Sequence, residues 1–242
     1  MNILIIGYGK MGKTIEILAL ERNHVIQYKV DQHTPDTLES VDASKVDVAI
    51  EFTQPGAAPN NIRFCIEHGI PVVSGTTGWL SHKAEIETYC HQHQGAFFYA
   101  SNFSIGVNIF FKLNQYLASL MKAYPDYRPT LEEIHHIHKK DAPSGTAITL
   151  AETIVHTLPN LQEWILADQN AEKLPNHSLP ITSVRKDEIP GTHIVSYSSD
   201  IDDIVISHTA HNRKGFALGA VLVAEWIRNK KGVFTMDDFL QF

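Results

Sequence analysis

The sequence predicts an α/β protein in which a doubly wound parallel sheet is joined to a second, α+β unit with a mixed, largely antiparallel sheet. Three observations carry that expectation. Apolar runs alternate with helical patterns through residue 100, and a Gly-Tyr-Gly-Lys-Met-Gly turn follows the first run. After Asn102 the pattern changes to longer segments, several with two-residue alternation. Strands buried on both faces read as unbroken apolar runs, whereas strands with two different faces alternate.

The elements follow in order. Residues 2–6 form a short apolar strand ending at Gly7, and 11–22 carry Met11, Ile15, Leu18 and Ala19 at helical spacing. A second strand, 25–30, ends at Asp31, and a third is VDVAIEF at 46–52. A helix is expected over 57–68 with Ile62, Cys65 and Ile66 on one face, then a buried strand over 70–74. A helix over 81–94 opens at a Ser81 cap, and 96–100 completes the alternation. Such alternation means a parallel sheet with helices on both faces.

Beyond residue 104, a helix over 106–122 is expected to bury a seam of Phe110, Leu113, Leu117 and Leu120. Strands are expected at 130–137, 181–186, 192–198 and 202–209, with His193, Val195 and Tyr197 sharing one face of the third. A helix over 144–158 interrupts them, and 169–180 reads as a polar, Pro-bearing loop. The apolar helix at 215–228 is too hydrophobic for a small domain's surface and is expected to pack back on the first sheet. The expected domains are therefore 1–104 with 215–242, and 105–214.

Composition narrows the function. The chain has 242 residues, 43% hydrophobic and 19% charged, an ordinary globular balance. A formal charge of −7 argues against a nucleic-acid binder, because phosphate affinity needs clustered Lys and Arg. Two cysteines, Cys65 and Cys90, cannot build a disulfide framework or a four-thiolate zinc site. The N-terminus lacks a basic leader, and the apolar stretch 216–227 is too short to span a bilayer and holds Glu225. A cytoplasmic, soluble protein is expected, with no membrane partner.

Gly7, Tyr8, Gly9, Lys10, Met11 and Gly12 form a G-x-G-x-x-G between a strand and a helix, with Asp31 at the end of the next strand. The first glycine allows the turn, the second admits a pyrophosphate, and the third lets helix and strand pack closely. Asp31 is placed to accept from ribose hydroxyls, which favours NADH. Gln32 follows where an Arg would favour NADPH, although Lys10 keeps NADPH open. Three further loops fall at the carboxyl ends of successive strands: Phe52-Thr53, Gly75-Thr76-Thr77-Gly78 and Ala100-Ser101-Asn102-Phe103. Ligands of doubly wound sheets lie at that edge.

Residues 133–148 read EIHHIHKKDAPSGTAI. If the strand continued to residue 139, His135, Ile137 and Lys139 would share one face, and His136 and His138 the other. At most two His per face beside a cationic Lys make a poor zinc site, so no metal is expected. His and Lys suit acid–base chemistry instead. Pro143 suits a first helical turn, Ser144 and Thr146 can cap, and Gly145 permits close backbone approach. Spacing alone leaves a carboxylate cradle and an ordinary N-cap equally open.

The stretch EIHHIHKKDAPSGTA resembles the signature of the 4-hydroxy-tetrahydrodipicolinate reductase (dihydrodipicolinate reductase) family of the diaminopimelate–lysine pathway. The G-x-G-x-x-G, E-F-T, G-T-T-G and S-N-F-S-I-G-V-N segments occur in that family's order, over nearly the whole chain except 159–180. The resemblance implies a Rossmann-like cofactor domain, a substrate domain that also builds a homotetramer, and reduction by NADH or NADPH. It implies His135 as general acid/base, Lys139 as proton donor, and His136, Gly145 and Thr146 as substrate ligands. Lys140 and Gln32 depart from common family residues. The rival readings are another two-domain NAD(P) oxidoreductase of a small acid, a dinucleotide-sensing protein without turnover, and a His-cluster metal hydrolase.

Overall fold

A computed structural model describes residues 1–167, 177–212 and 214–242. They divide into two compact units: Met1–Ile105 with Lys214–Phe242, and the described residues of 106–213. Among the described residues no helix is long and apolar enough to cross a membrane.

The first unit is built on a parallel sheet of β1 (Asn2–Ile6), β2 (Val25–Val30), β3 (Val48–Glu51), β4 (Val72–Ser74), β5 (Ala96–Tyr99) and, near the C-terminus, β11 (Gly232–Phe234). Its order is β11-β5-β4-β3-β1-β2. Side-chain alternation divides the core in two. Ile3 and Ile5 join α1 (Lys10–Glu21) and α6 (Lys214–Ile227) on one face. Leu4 and Ile6 join α2 (Ala58–Glu67) and α3 (Lys83–Gln92) on the other. The last long helix returns to this sheet, burying Ala217, Ala220, Val221, Val223, Ala224 and Ile227. Each fully buried Val or Ile contributes about 1.5–3 kcal/mol relative to exposure. The chain leaves β1 toward β2 on one side and β3 on the other, so the carboxyl ends of β1 and β3 flank the switch point.

Ser81 is not a helix cap. It lies in a 3₁₀ turn, Leu80–His82, and His82 precedes α3 without a side-chain bond. The strand β11 and the short helix α7 (Met236–Leu240) were not foreseen, since three- and five-residue elements carry too little periodicity.

The second unit opens with α4 (Ile105–Met121) and holds β6 (Arg128–His135), α5 (Gly145–Thr157), β7 (Glu163–Leu166), β8 (Ser178–Arg185), β9 (Gly191–Ser198) and β10 (Asp203–Ala210). The strand order is β10-β9-β6-β8-β7. The pairs β9–β10 and β6–β9 are antiparallel, while β6–β8 and β7–β8 are parallel. The sheet is thus mixed, and its antiparallel ladders are the longer ones. One face packs on Ala147, Leu150, Ala151 and Ile154 of α5 and on Phe110, Ala118 and Met121 of α4.

Several boundaries differ from the sequence reading. The buried stripe of α4 runs through Val107, Phe110, Asn114, Ala118 and Met121. Leu113 and Leu120 are about half exposed, at 51% and 48%. The buried Asn114 hides this stripe from a hydrophobicity pattern; its Nδ2 donates to Leu150 O at 3.1 Å, which gives the buried amide nitrogen a partner. Of the loop expected at 169–180, residues 169–176 lie outside the described residues, while Ser178–Pro180 belong to β8. Most consequentially, β6 ends at His135: the chain turns, and Lys139 N donates to His136 O at 3.1 Å.

Candidate active site

Each unit carries one cluster of the expected site residues. In the first, Gly7 follows β1 with φ +94°, a left-handed conformation that favours glycine, and its N–H donates to Val30 O at 2.8 Å. A Cβ on Gly7 would lie 2.0 Å from Phe52 O, and one on Gly12 would lie 2.2 Å from Gly7 O. These two glycines serve close packing. Gly9 meets nothing, and it precedes α1 as an N-cap without a side-chain bond. Helix amides without a side-chain cap suit an anion.

A cleft of about 680 Å³ opens beside this turn, lined by Gly7, Gly9, Asp31, Gln32, Phe52 and Thr53 among others. Asp31 Oδ2 accepts from Tyr8 N–H at 2.7 Å, which ties the end of β2 to the glycine turn. The Tyr8 hydroxyl bonds to Glu16, and Lys29 Nζ sits 4.9 Å from the Tyr8 ring centroid. Lys10 is exposed, while Met11 packs partly against the core beneath the sheet.

A buried carboxylate arranges the next two loops. Glu51, at the end of β3, is fully buried. It accepts from Ser74 Oγ at 2.6 Å, Thr76 Oγ1 at 2.8 Å, Thr53 N at 3.2 Å and the Thr53 hydroxyl. Thr53 N also donates to Thr76 Oγ1 at 2.7 Å. A Cβ on Gly75 would lie 2.1 Å from the Phe52 ring, so that ring fixes the second loop's approach. Thr77 and Ser101 are exposed, and Asn102 Oδ1 accepts from Ser104 N at 2.9 Å. Ala100 and Phe103 are buried in the core, which leaves their backbone, not their side chains, for a ligand.

In the second unit, strict alternation along β6 turns Leu131, Glu133 and His135 inward. Across the antiparallel ladder Glu133 faces His193 of β9. His135 Nδ1 meets the Glu133 carboxylate, whose Oε1 accepts from Arg185 Nη2 at 2.9 Å. Burial alone would raise the Glu133 pKa, but the approach of His135, Ser183 and Arg185 outweighs it and holds the carboxyl down at about 2. The His135 and His193 rings meet edge to face, 5.2 Å apart. Burial, then repulsion from His135, pushes His193 down to about 4, so it is neutral near pH 7. His193 Nε2 and Ser144 Oγ are hydrogen-bonded at 3.0 Å.

The turn after His135 separates what strand periodicity would have joined. Lys139 does not continue the His135 face; its Nζ donates to both Asp141 oxygens, at 2.8 and 2.7 Å. Arg185 Nη2 also donates to Asp141 O at 2.7 Å, so one guanidinium links the Glu133 carboxylate to the Lys139 segment. His136 is half-buried beyond the strand end, its ring 6.2 Å from that of His138. Pro143 lies outside α5 rather than in its first turn. Ser144 is the N-cap and accepts from Ala147 N at 3.2 Å, so Thr146 is not a cap. Gly145 and Thr146 open the helix, ahead of its first backbone bond from Ile148 N to Ser144 O at 2.9 Å.

Glu133, His135 and His193 bring ligand atoms within 4.8 Å of one another, the spacing of a metal cage. However, Arg185 already compensates Glu133, and Ser144 engages His193. The group is built around the Glu133–Arg185 charge pair.

Two family models cover the chain. "Dihydrodipicolinate reductase, N-terminus" matches residues 1–103, and "Dihydrodipicolinate reductase, C-terminus" matches 106–240. The chain belongs to the dihydrodipicolinate reductase family. A 4-hydroxy-tetrahydrodipicolinate reductase of Christiangramia forsetii is 49% identical over 99% of this chain and 98% of that protein. One of Methanosarcina barkeri is 37% identical over 81% of this chain and 74% of that protein. A dipicolinate-bound dihydrodipicolinate reductase from Paenisporosarcina sp. TG-14 shares the fold, with a TM-score of 0.77, 23% identity and 97% of each chain covered.

Within this dihydrodipicolinate reductase family chain, the sequence reading passed over Glu51, Glu133, Arg185 and His193. Glu133 had a visible signal, since it stands two residues before His135 on an alternating strand. Arg185 and His193 had none, because strand pairing alone brings β8 and β9 to β6.

Proposed function

We propose that this chain reduces 4-hydroxy-tetrahydrodipicolinate to tetrahydrodipicolinate with loss of water, a step of diaminopimelate and lysine biosynthesis. The observation that carries the reading is the Glu133–His135 pair in a chain 49% identical to a full-length relative of that name. Residues 1–104 with 215–242 form the dinucleotide-binding domain, and 105–214 the substrate-binding and oligomerisation domain.

Gly7, Tyr8, Gly9, Lys10, Met11 and Gly12 hold the pyrophosphate, and Asp31 the adenosine ribose. Phe52, Thr53, Gly75, Thr76, Thr77, Ala100, Ser101, Asn102 and Phe103 line the rest of the cofactor path. The cleft volume, the unfilled space at Gly9 and the amides without a side-chain cap fit a dinucleotide. When bound, the reduced nicotinamide supplies hydride to C4 of the dehydrated ring. His135 and Lys139 stabilise the charge that develops and deliver the proton to C3. The opening amides of α5, at Gly145 and Thr146, hold a substrate carboxylate, as a helix N-terminus favours. His136 is a further substrate contact.

NADH is the slightly favoured donor, because Asp31 lies on the cleft next to Gln32 and a carboxylate repels a 2′-phosphate. The enzyme works in the cytoplasm as a homotetramer. Initial rates with enzymatically generated substrate, run separately with NADH and NADPH, test the reading. Turnover with at least one donor is expected; binding of either dinucleotide without turnover would replace it with a sensing role. Full activity after exhaustive chelation is expected, and loss restored by a divalent ion would overturn the metal-free chemistry.

A further inference from the structure

We propose that Glu133 is the positioning residue of His135: its carboxylate takes the hydrogen bond from Nδ1 and thereby reserves Nε2 for proton exchange with substrate. The proposal rests on the acid–base role given to His135 above. Glu133 is fully buried, and a buried carboxylate stays ionised only when paired and hydrogen-bonded. Its two oxygens are divided. Oε1 accepts from Arg185 at 2.9 Å, and Oε2 faces His135 Nδ1. A carboxylate so held only accepts, so the nitrogen facing it carries a proton in both the neutral and the cationic ring. The changing proton is then the one on Nε2.

The surroundings of the ring agree. Gly191 of β9 lies beside Nε2, and a Cβ there would come within 2.9 Å of it. The absent side chain keeps that edge open. The edge-to-face contact with His193 restrains the ring from the side. Arg185, through Asp141 O, fixes the carboxylate to the segment that carries Lys139. In the proton-transfer step, the cationic ring gives its Nε2 proton to the substrate carbon. The ring becomes neutral with its proton on Nδ1, and Glu133 stays ionised throughout. A carboxylate that merely balanced Arg185 would not need its second oxygen on an imidazole.

The test uses the full-length protein labelled with ¹⁵N-histidine, with His135 assigned by its absence from the His135→Gln spectrum. Neutral wild-type His135 is expected to show a protonated Nδ1 and a bare Nε2. Glu133→Gln keeps the shape but presents an amide that can donate to Nδ1. It should shift the signals toward a protonated Nε2 and lower kcat by about 10²-fold or more, as a wrong tautomer does. The KM for the dinucleotide should change by less than about threefold, since positioning acts on the chemical step. A wild-type His135 with its proton on Nε2 would overturn the proposal. So would a Glu133→Gln protein that loses kcat with its tautomer unchanged, which is a structural effect only. Should that variant fail to fold, the wild-type spectrum still decides. The His135→Gln control separates the two levels. Wild-type turnover there refutes the acid–base role, whereas lost turnover there with a protonated Nε2 in the wild type refutes only Glu133's part.

Discussion

The backbone N–H of Tyr8 donates to Asp31 Oδ2 at 2.7 Å. One carboxylate oxygen therefore holds the glycine turn to the end of β2, and the other is the acceptor for the proposed ribose contact. Asp31→Ala removes both functions. We expect KM to rise for both dinucleotides, and more for NADH than for NADPH. Equal weakening in steady-state titrations would leave Asp31 with the turn-holding role alone.

His135→Gln and Lys139→Ala should each lower kcat by about 10²–10⁴-fold, the usual range for a lost acid–base group. Dinucleotide binding, followed by fluorescence, should be preserved, because both residues lie in the second unit. Wild-type turnover in both variants would end the role assignment.

Gly191→Ala tests the space beside His135. The new methyl would meet His135 Nε2 at 2.9 Å, and the ring's other edge is held by Glu133. Displacement of the ring is expected to cost about tenfold or more in kcat, since small misplacements of reacting groups are expensive. A crystal structure of the variant with an unmoved His135 ring and unchanged kcat would contradict this.

Glu51→Gln should weaken both fold and cofactor binding. Glu51 accepts from Ser74, Thr76 and Thr53, and a glutamine puts a donor among those donors. Leaving buried hydrogen bonds unmet costs about 1–3 kcal/mol. Thermal unfolding should register that loss, and KM for the dinucleotide should rise because two loop ends lose a common anchor. An unaltered KM would show that Glu51 serves the core only.

His193 adds an acid-labile component to stability. It faces His135, Glu133, His208 and Lys139, and its pKa of about 4 lies below the usual 6.5. Between those values the unfolded chain binds a proton that the folded chain refuses. Stability therefore falls as pH drops from 6.5 toward 4, by on the order of 3 kcal/mol at most. Glu133 titrates lower, from 4.5 to about 2, and its contribution is lost only as pH falls through that range. Denaturant unfolding at pH 7 and pH 5 should show a smaller difference for His193→Gln than for the wild type. An identical difference would mean that another group carries the effect.

The sequence alone determined the parallel sheet, the glycine turn, the return of the last helix and the family signature. Each rests on local spacing: buried strands need unbroken apolar runs, a close turn needs glycines, and a buried helix shows its face in its own residues. Tertiary structure decided what depends on pairing. The β6–β9 ladder sets His193 opposite Glu133, and the parallel β6–β8 pairing brings Arg185 to the same carboxylate. It also decided that β6 stops at His135, so that Lys139 turns to Asp141 instead of sharing a strand face. No residue spacing encodes these contacts, because charges and hydrogen bonds between strands depend on register. Register is selected by burial of the whole sheet.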